Sequence, residues 1–170
     1  SQKLAPQARP VALLTLLVLG GAALRYHPHH LTYFNELAGG PAEGKYLLLD
    51  SNLDWGQALH DLRDELEANQ QTLDGLVYFG SFPPRAIQLN MPPAPQLTPA
   101  AGRYAISVNF LEGRPHVIRL PDNSWQEVDL DYYGYFRYFR PVKYIGNSIA
   151  IFEISESDRR TYEQALKGTF

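Results

Sequence analysis

The chain has 170 residues, with 15 basic and 18 acidic side chains and a formal net charge of −3. This length is sufficient for one domain with a substantial core but not for two large domains. The nearly balanced charge gives no electrostatic support for nucleic acid as a partner, and the absence of cysteine excludes disulfides and thiolate metal sites.

The first feature along the chain is an uncharged apolar run at residues 11–24, VALLTLLVLGGAAL. A helix of this length covers about 21 Å, less than the roughly 30 Å hydrocarbon core of a bilayer. The run is therefore the end of a transmembrane helix, a buried helix, or a signal peptide with a small-residue cleavage site. Tyr26, Tyr33 and Phe34 follow it and suit the interface between membrane and water.

A strand, a helix and a second strand are predicted next. Residues 46–49 are a short apolar run typical of a buried strand, and residues 73–80 indicate another. The helix between them is expected to begin near Ser51, with Asp54 three residues later in a near-capping box, and to end near Asn69. Its apolar stripe is formed by Trp55, Leu59, Leu62 and Leu66. Such a βαβ unit predicts two parallel strands.

The remaining elements are mostly strands. Residues 103–110 alternate well enough for a strand, and residues 116–120 are expected to pair back against it across a turn. Residues 145–154 are apolar and β-branched, which predicts one central strand. Ser155 is a good N-cap for a final helix that ends near Lys167.

These elements predict an α/β fold, a small mixed β-sheet with a βαβ unit and packed helices, preceded by an N-terminal apolar helix. Residues 1–25 are interpreted as the end of a transmembrane helix, residues 26–44 as a juxtamembrane linker, and residues 45–170 as a soluble α/β domain. Residues 132–140 contain six aromatic side chains. They form either a core cluster or a surface that stacks on sugars or faces lipid.

Two sequence blocks suggest a family. Residues 30–41 read HLTYFNELAGGP and residues 49–59 read LDSNLDWGQAL, and weaker matches follow at residues 80–81, 104–107 and 146–149. Together these blocks resemble the region that follows the last membrane helix in family 39-like glycosyltransferases, which are membrane enzymes related to protein O-mannosyltransferases. The resemblance strengthens the transmembrane interpretation of the apolar run.

The resemblance implies a GT-C type enzyme in the bacterial cytoplasmic membrane. Such enzymes take a sugar from a polyprenyl-phosphate carrier on the extracytoplasmic face, where the soluble part of this chain would then lie. The family's acidic catalytic residues belong to an early extracytoplasmic loop. No residue of this chain matches that loop, so no catalytic residue is assigned.

The candidate binding residues are Asp50, Asn52, Asp54, Trp55 and Gln57. They lie at the predicted strand-to-helix junction, the carboxyl end of the sheet, where open α/β folds bind ligands. The carboxylates would hold sugar hydroxyls or, as a less favoured alternative, a divalent ion, and Trp55 would stack on a sugar ring. The alternative is structural: Asp54 caps the helix, Asp50 accepts backbone hydrogen bonds and Trp55 packs in the core.

No metal or cofactor is expected. The spacing of Asp50, Asn52 and Asp54 resembles the start of a calcium loop, but Trp55 and Asp61 occupy the positions where an EF-hand needs glycine and glutamate. The histidines beside the apolar run have zinc-ligand chemistry, but interfacial packing suits them better. They are His27, His29 and His30.

The function expected is that of an accessory domain in a glycosyltransferase, which helps to position the sugar donor or the acceptor. Its partners would be membrane lipid, a polyprenyl-phosphate sugar or glycan acceptor, and the remaining transmembrane part of the same enzyme. A stand-alone membrane-anchored carbohydrate-binding module is the alternative. A small hydrolase that uses Asp50 and Asp54 is a third hypothesis, for which the sequence supplies no further catalytic group.

Overall fold

The computed structural model describes residues 8–35, 37, 39–44, 46, 53–113 and 116–168. The helices are α1 (Ala8–Arg25), α2 (Gly40–Gly44), α3 (Leu59–Ala68), α4 (Val108–Leu111) and α5 (Glu156–Lys167). The strands are β1 (Gly75–Val77), β2 (Gly102–Ser107), β3 (His116–Arg119), β4 (Trp125–Val128), β5 (Lys143–Ile145) and β6 (Ile149–Ile154). These helices and strands confirm the predicted α/β class with an N-terminal apolar helix.

A four-stranded mixed sheet organises the domain, in the order β1-β2-β6-β5. The β1 and β2 strands are parallel, with Leu76 opposite Ala105, whereas β6 is antiparallel to both β2 and β5. Side chains on one face of the sheet pack with α3, and those on the other pack with the aromatic residues 132–139. Because both faces are covered, β6 is buried along almost its whole length.

Helix α1 satisfies the length and composition needed to cross a membrane. It has 18 residues with a mean hydropathy of 1.5, and at about 1.5 Å per residue it spans about 27 Å. None of its residues is buried, and leucines such as Leu16 are about two-thirds exposed. The interpretation as a buried helix is therefore wrong. A helix that is apolar on all sides fits a hydrocarbon environment.

The predicted βαβ unit is only partly described. The expected strand at residues 46–49 lies outside the described residues, apart from Tyr46, which is in a turn. The helix begins at Leu59 and not near Ser51, so the predicted start is wrong by about two turns. Within the described residues, the parallel partner of β1 is β2, which follows a proline-rich segment with a short 3-10 helix at Pro84–Ile87 and not an α-helix.

Residues 145–154 form a hairpin and not the predicted single strand. Gly146 and Asn147 have φ values of +55° and +59°, and the Ser148 N–H donates to the Ile145 carbonyl at 3.1 Å. Two consecutive positive φ values are typical of the tight turns that join antiparallel strands. The predicted central position holds for β6, which lies between β2 and β5.

Two further predictions are corrected beside the sheet. The strand expected at residues 103–110 ends at Ser107, whose hydroxyl accepts from the Asn109 N–H at 3.4 Å and caps the one-turn helix α4. Residues 116–119 pair with β4 in a separate hairpin and not with β2.

The last helix and the aromatic cluster agree with prediction. Ser155 caps α5 in a capping box with Asp158, and the hydrogen bonds from Ser155 hold the pKa of Asp158 below its usual range. Of the aromatic residues 132–140, Tyr133, Tyr135 and Phe136 are buried, so this segment is mainly a core cluster.

Candidate functional site

Asp54 lies at the carboxyl end of β1 and β2, inside the protein. Its side chain has no exposed surface. Oδ1 accepts from the Gly56 N–H at 2.9 Å, and Oδ2 accepts from the hydroxyl of Ser107. The backbone N–H of Phe79 is a further donor. One carboxyl group thus joins the loop before α3 to the ends of β1 and β2.

Burial raises the pKa of Asp54 from 3.8 to about 6, because the ionised form loses its hydration. The hydrogen bonds from Ser107, Gly56 and Phe79 oppose this shift, since they favour the charged form. The nearby Ser148 hydroxyl also lowers the pKa of Asp54, although it makes no hydrogen bond of normal geometry within the described part of the chain. Asp54 therefore changes its charge close to neutral pH.

Gln57 closes the loop that carries Trp55. Its side-chain oxygen accepts from the Trp55 N–H at 2.6 Å, and its side-chain nitrogen donates to the Leu53 carbonyl at 2.8 Å. Gly56, between them, has a φ of +82° and cannot belong to a right-handed helix. This backbone conformation explains why α3 begins only after the loop.

The loop packs closely against the end of β1. A Cβ on Gly80 would lie 2.4 Å from the Trp55 carbonyl oxygen, and Gly80 itself has a φ of +146°. Any side chain at this position would both clash with the loop and strain the backbone. Glycine at position 80 therefore permits the approach that places Trp55 beside the sheet.

Trp55 is at the surface. Its side chain is 50% exposed, and its ring makes an edge contact with Phe79 at a centroid distance of 5.7 Å. It precedes α3, whose buried stripe consists of Leu59, Leu62 and Leu66 alone. The predicted core position of Trp55 is therefore wrong, and about half of the residue's surface is exposed to solvent.

A second set of exposed groups surrounds residues 80–82. Phe82 is 39% exposed, and its carbonyl accepts from the hydroxyl of Tyr78, whose pKa is raised to about 12 mainly by burial. Arg119 donates to the Ser81 carbonyl at 2.9 Å, and its guanidinium lies 5.3 Å from the ring centroid of Trp125. Trp125 is also half exposed.

The arrangement combines a buried, hydrogen-bonded carboxyl group with an exposed aromatic residue. The polar groups of Asp54 and Gln57 form hydrogen bonds within the loop and to the strand ends, whereas Trp55 is half exposed to solvent. Within the described segments, no group of three or more histidine, aspartate or glutamate side chains is placed to hold a metal ion. Asp50 and Asn52 lie outside the described residues, so their predicted binding role stays a prediction.

Sequence reasoning missed Ser107, Phe82 and Arg119. Ser107 meets Asp54 across a separation of 53 residues, and no local pattern indicates such a contact. Arg119 reaches the Ser81 carbonyl, next to Phe82, because the unpredicted hairpin β3–β4 lies beside residues 80–82.

Comparison with known proteins gives no relative: no family model, no curated protein and no solved structure matches the chain.

Proposed function

We propose that this chain is the C-terminal extracytoplasmic accessory domain of a polyprenyl-phosphate-sugar-dependent membrane glycosyltransferase, with the catalytic residues outside the chain. The proposal rests first on the resemblance of residues 30–41 and 49–59 to that family. A helix long and apolar enough to cross a membrane, followed directly by an α/β domain, is consistent with it.

A binding role is supported by the difference in exposure between Asp54 and Trp55, which are neighbours in the block at residues 50–57. Asp54 is buried and Gln57 bridges the loop, so both hold the backbone in place. Trp55, between them, is half exposed at the carboxyl end of the parallel strands, where ligands of open α/β folds bind. In this proposal Trp55 contacts the sugar, Asp54 and Gln57 position Trp55, and Asp50 and Asn52 are further predicted contacts.

A binding experiment tests this role. The full chain in detergent micelles is titrated with a polyprenyl-phosphate sugar, and binding is followed by calorimetry. We expect Trp55→Ala to weaken binding by about tenfold or more, equivalent to about 1.4 kcal/mol. Tyr138→Ala is the control, because Tyr138 is also about half exposed but contacts Tyr162 of α5 and lies near Glu153 and Asp158, away from the Trp55 loop. Equal affinities for the Trp55→Ala variant and the unmodified chain would contradict the proposal.

The membrane-anchored carbohydrate-binding module is the second candidate, and the same exposed Trp55 would serve it. The two functions differ in the ligand. A glycosyltransferase domain should prefer the lipid-linked sugar to the free saccharide, whereas a carbohydrate-binding module should bind free glycan without the lipid carrier.

A further inference from the structure

One end of the domain lies next to the end of α1. The ring of Tyr26, directly after α1, contacts that of Tyr33 at 5.1 Å, and the Arg25 guanidinium lies 5.7 Å from the Tyr26 ring centroid. Tyrosine and arginine at the end of an apolar helix are typical of the headgroup region of a membrane. Residues 25–33 therefore mark the depth at which the chain would leave a bilayer.

This juxtamembrane segment is attached to the domain. Asn147, in the β5–β6 turn, donates to the Thr32 hydroxyl at 3.2 Å, and Thr32 is fully buried. Nδ1 of His29 lies 3.9 Å from an Asp61 carboxylate oxygen in the first turn of α3. A Cβ on Gly146 would lie 3.1 Å from the same ring nitrogen. The β5–β6 turn and the start of α3 are thus held beside the end of α1.

The exposed aromatic side chains Trp55 and Phe82 share this end. Ser107, the last residue of β2, pairs with Ile149, which follows the β5–β6 turn. Ser107 also binds Asp54, which directly precedes Trp55. Phe82 belongs to the same end, because its ring lies 5.8 Å from that of His60 at the start of α3.

The opposite end has a different character. There Gly102 pairs with Ile154, and α5 begins with Glu156 and Asp158 in its first turn. Asp74 is also exposed at this end, where it accepts from the Arg103 N–H. At the α1 end the exposed carboxylate of Asp61 lies beside His29. The acidic side chains of the opposite end suit water, whereas the exposed Trp55 and Phe82 rings of the α1 end suit the headgroup region of a bilayer.

We infer that the end of the domain formed by Trp55, Phe82 and the β5–β6 turn rests on the surface of the lipid bilayer, with the Trp55 and Phe82 rings among the headgroups. The occupant of this surface is phospholipid. The evidence is its continuity with the end of α1. A sugar on a polyprenyl-phosphate carrier would reach Trp55 from the same headgroup layer, so the two contacts of the ring are compatible. The inference goes beyond the proposed function and needs no sugar ligand, so either can fail without the other.

Fluorescence quenching by brominated lipids tests the inference on the full chain in phospholipid vesicles. The Trp125→Phe variant leaves Trp55 as the single tryptophan. The matched control replaces both tryptophans by phenylalanine and adds Thr72→Trp, at an exposed loop position between α3 and β1 near the opposite end. Far-UV circular dichroism checks that each variant is folded.

We expect lipids brominated near the headgroups to reduce Trp55 emission and to leave the Thr72→Trp emission unchanged. Adding Phe82→Asp to the Trp125→Phe variant should reduce the quenching of Trp55, because a carboxylate is expelled from the interface. The inference is overturned if Trp55 emission is equal in brominated and plain vesicles, or if the chain does not float with vesicles at all. The comparison for Trp55 stands even if the control variant does not fold.

Discussion

Replacement of Asp54 by asparagine should change how the stability of the protein depends on pH. The pKa of Asp54 is raised from 3.8 to about 6 in the folded protein. Between these two values the folded protein holds a proton that the unfolded chain has lost, so stability falls as the pH rises. The contribution is fully present below the unfolded pKa and is lost once the pH exceeds about 6. Asparagine has no such proton.

The size of the effect follows from the two pKa values. The rise from 3.8 to about 6 corresponds to about 3 kcal/mol. About 2 kcal/mol of this falls between about pH 4.5 and about pH 7.5, because part of the difference develops below that window. For a chain of this length, 1 kcal/mol shifts the melting temperature by about 2–4 °C. The Asp54→Asn variant should therefore gain about 4–8 °C relative to the unmodified protein across the window.

The assay is thermal unfolding of the full chain in a non-ionic detergent, followed by circular dichroism at several pH values. The difference in melting temperature between the variant and the unmodified protein removes the contributions of other groups. Asp64→Asn is the matched control, because this carboxylate is mostly exposed. The reasoning about burial is refuted if the melting-temperature difference for Asp54→Asn does not change with pH, as is expected for the control Asp64→Asn.

Four further results are expected. Trp55→Ala should cost only about 1 kcal/mol of stability, against about 2–5 kcal/mol for the fully buried Leu62→Ala, as measured by urea unfolding; a larger loss at Trp55 would place it in the core. Gly80→Ala should destabilise by about 1–3 kcal/mol through its positive φ and the clash with Trp55, and an unchanged melting temperature would exclude that close approach. The full chain should need detergent, whereas a fragment from Lys45 should dissolve in plain buffer; equal solubility would count against a membrane helix. Purified chain alone should transfer no sugar from a polyprenyl-phosphate donor, and turnover that is lost in Asp54→Asn would overturn the accessory role.

Local signals explain the elements that the sequence predicts well. Ser155 and Asp158 form a capping box within one turn, so the start of α5 needs no tertiary information. The uncharged run predicts α1 through composition alone. Leu59, Leu62 and Leu66 follow the helical period and are buried as expected. In each case the residues that determine the structure are close together in the chain.

The helical spacing of apolar residues gives a wrong prediction for Trp55. This residue lies four residues before Leu59, so helical spacing places it on the apolar stripe. The loop departs from the helix because Gly56 has a positive φ and Asp54 binds the distant Ser107. Spacing cannot reveal a contact across 53 residues, so both the start of α3 and the exposure of Trp55 are invisible in the sequence. The Gly146-Asn147 turn is different, since this dipeptide is itself a hairpin signal.

The buried carboxyl of Asp54 has a physical justification in the groups around it. The N–H groups of Gly56 and Phe79 and the hydroxyl of Ser107 all point toward this position. An apolar side chain there would leave these donors without an acceptor, at a cost of about 1–3 kcal/mol for each. A carboxyl group accepts all of them, and its raised pKa lowers the cost of burial by allowing the neutral form below about pH 6. The residue that fixes the loop can therefore be buried, while its neighbour Trp55 stays at the surface.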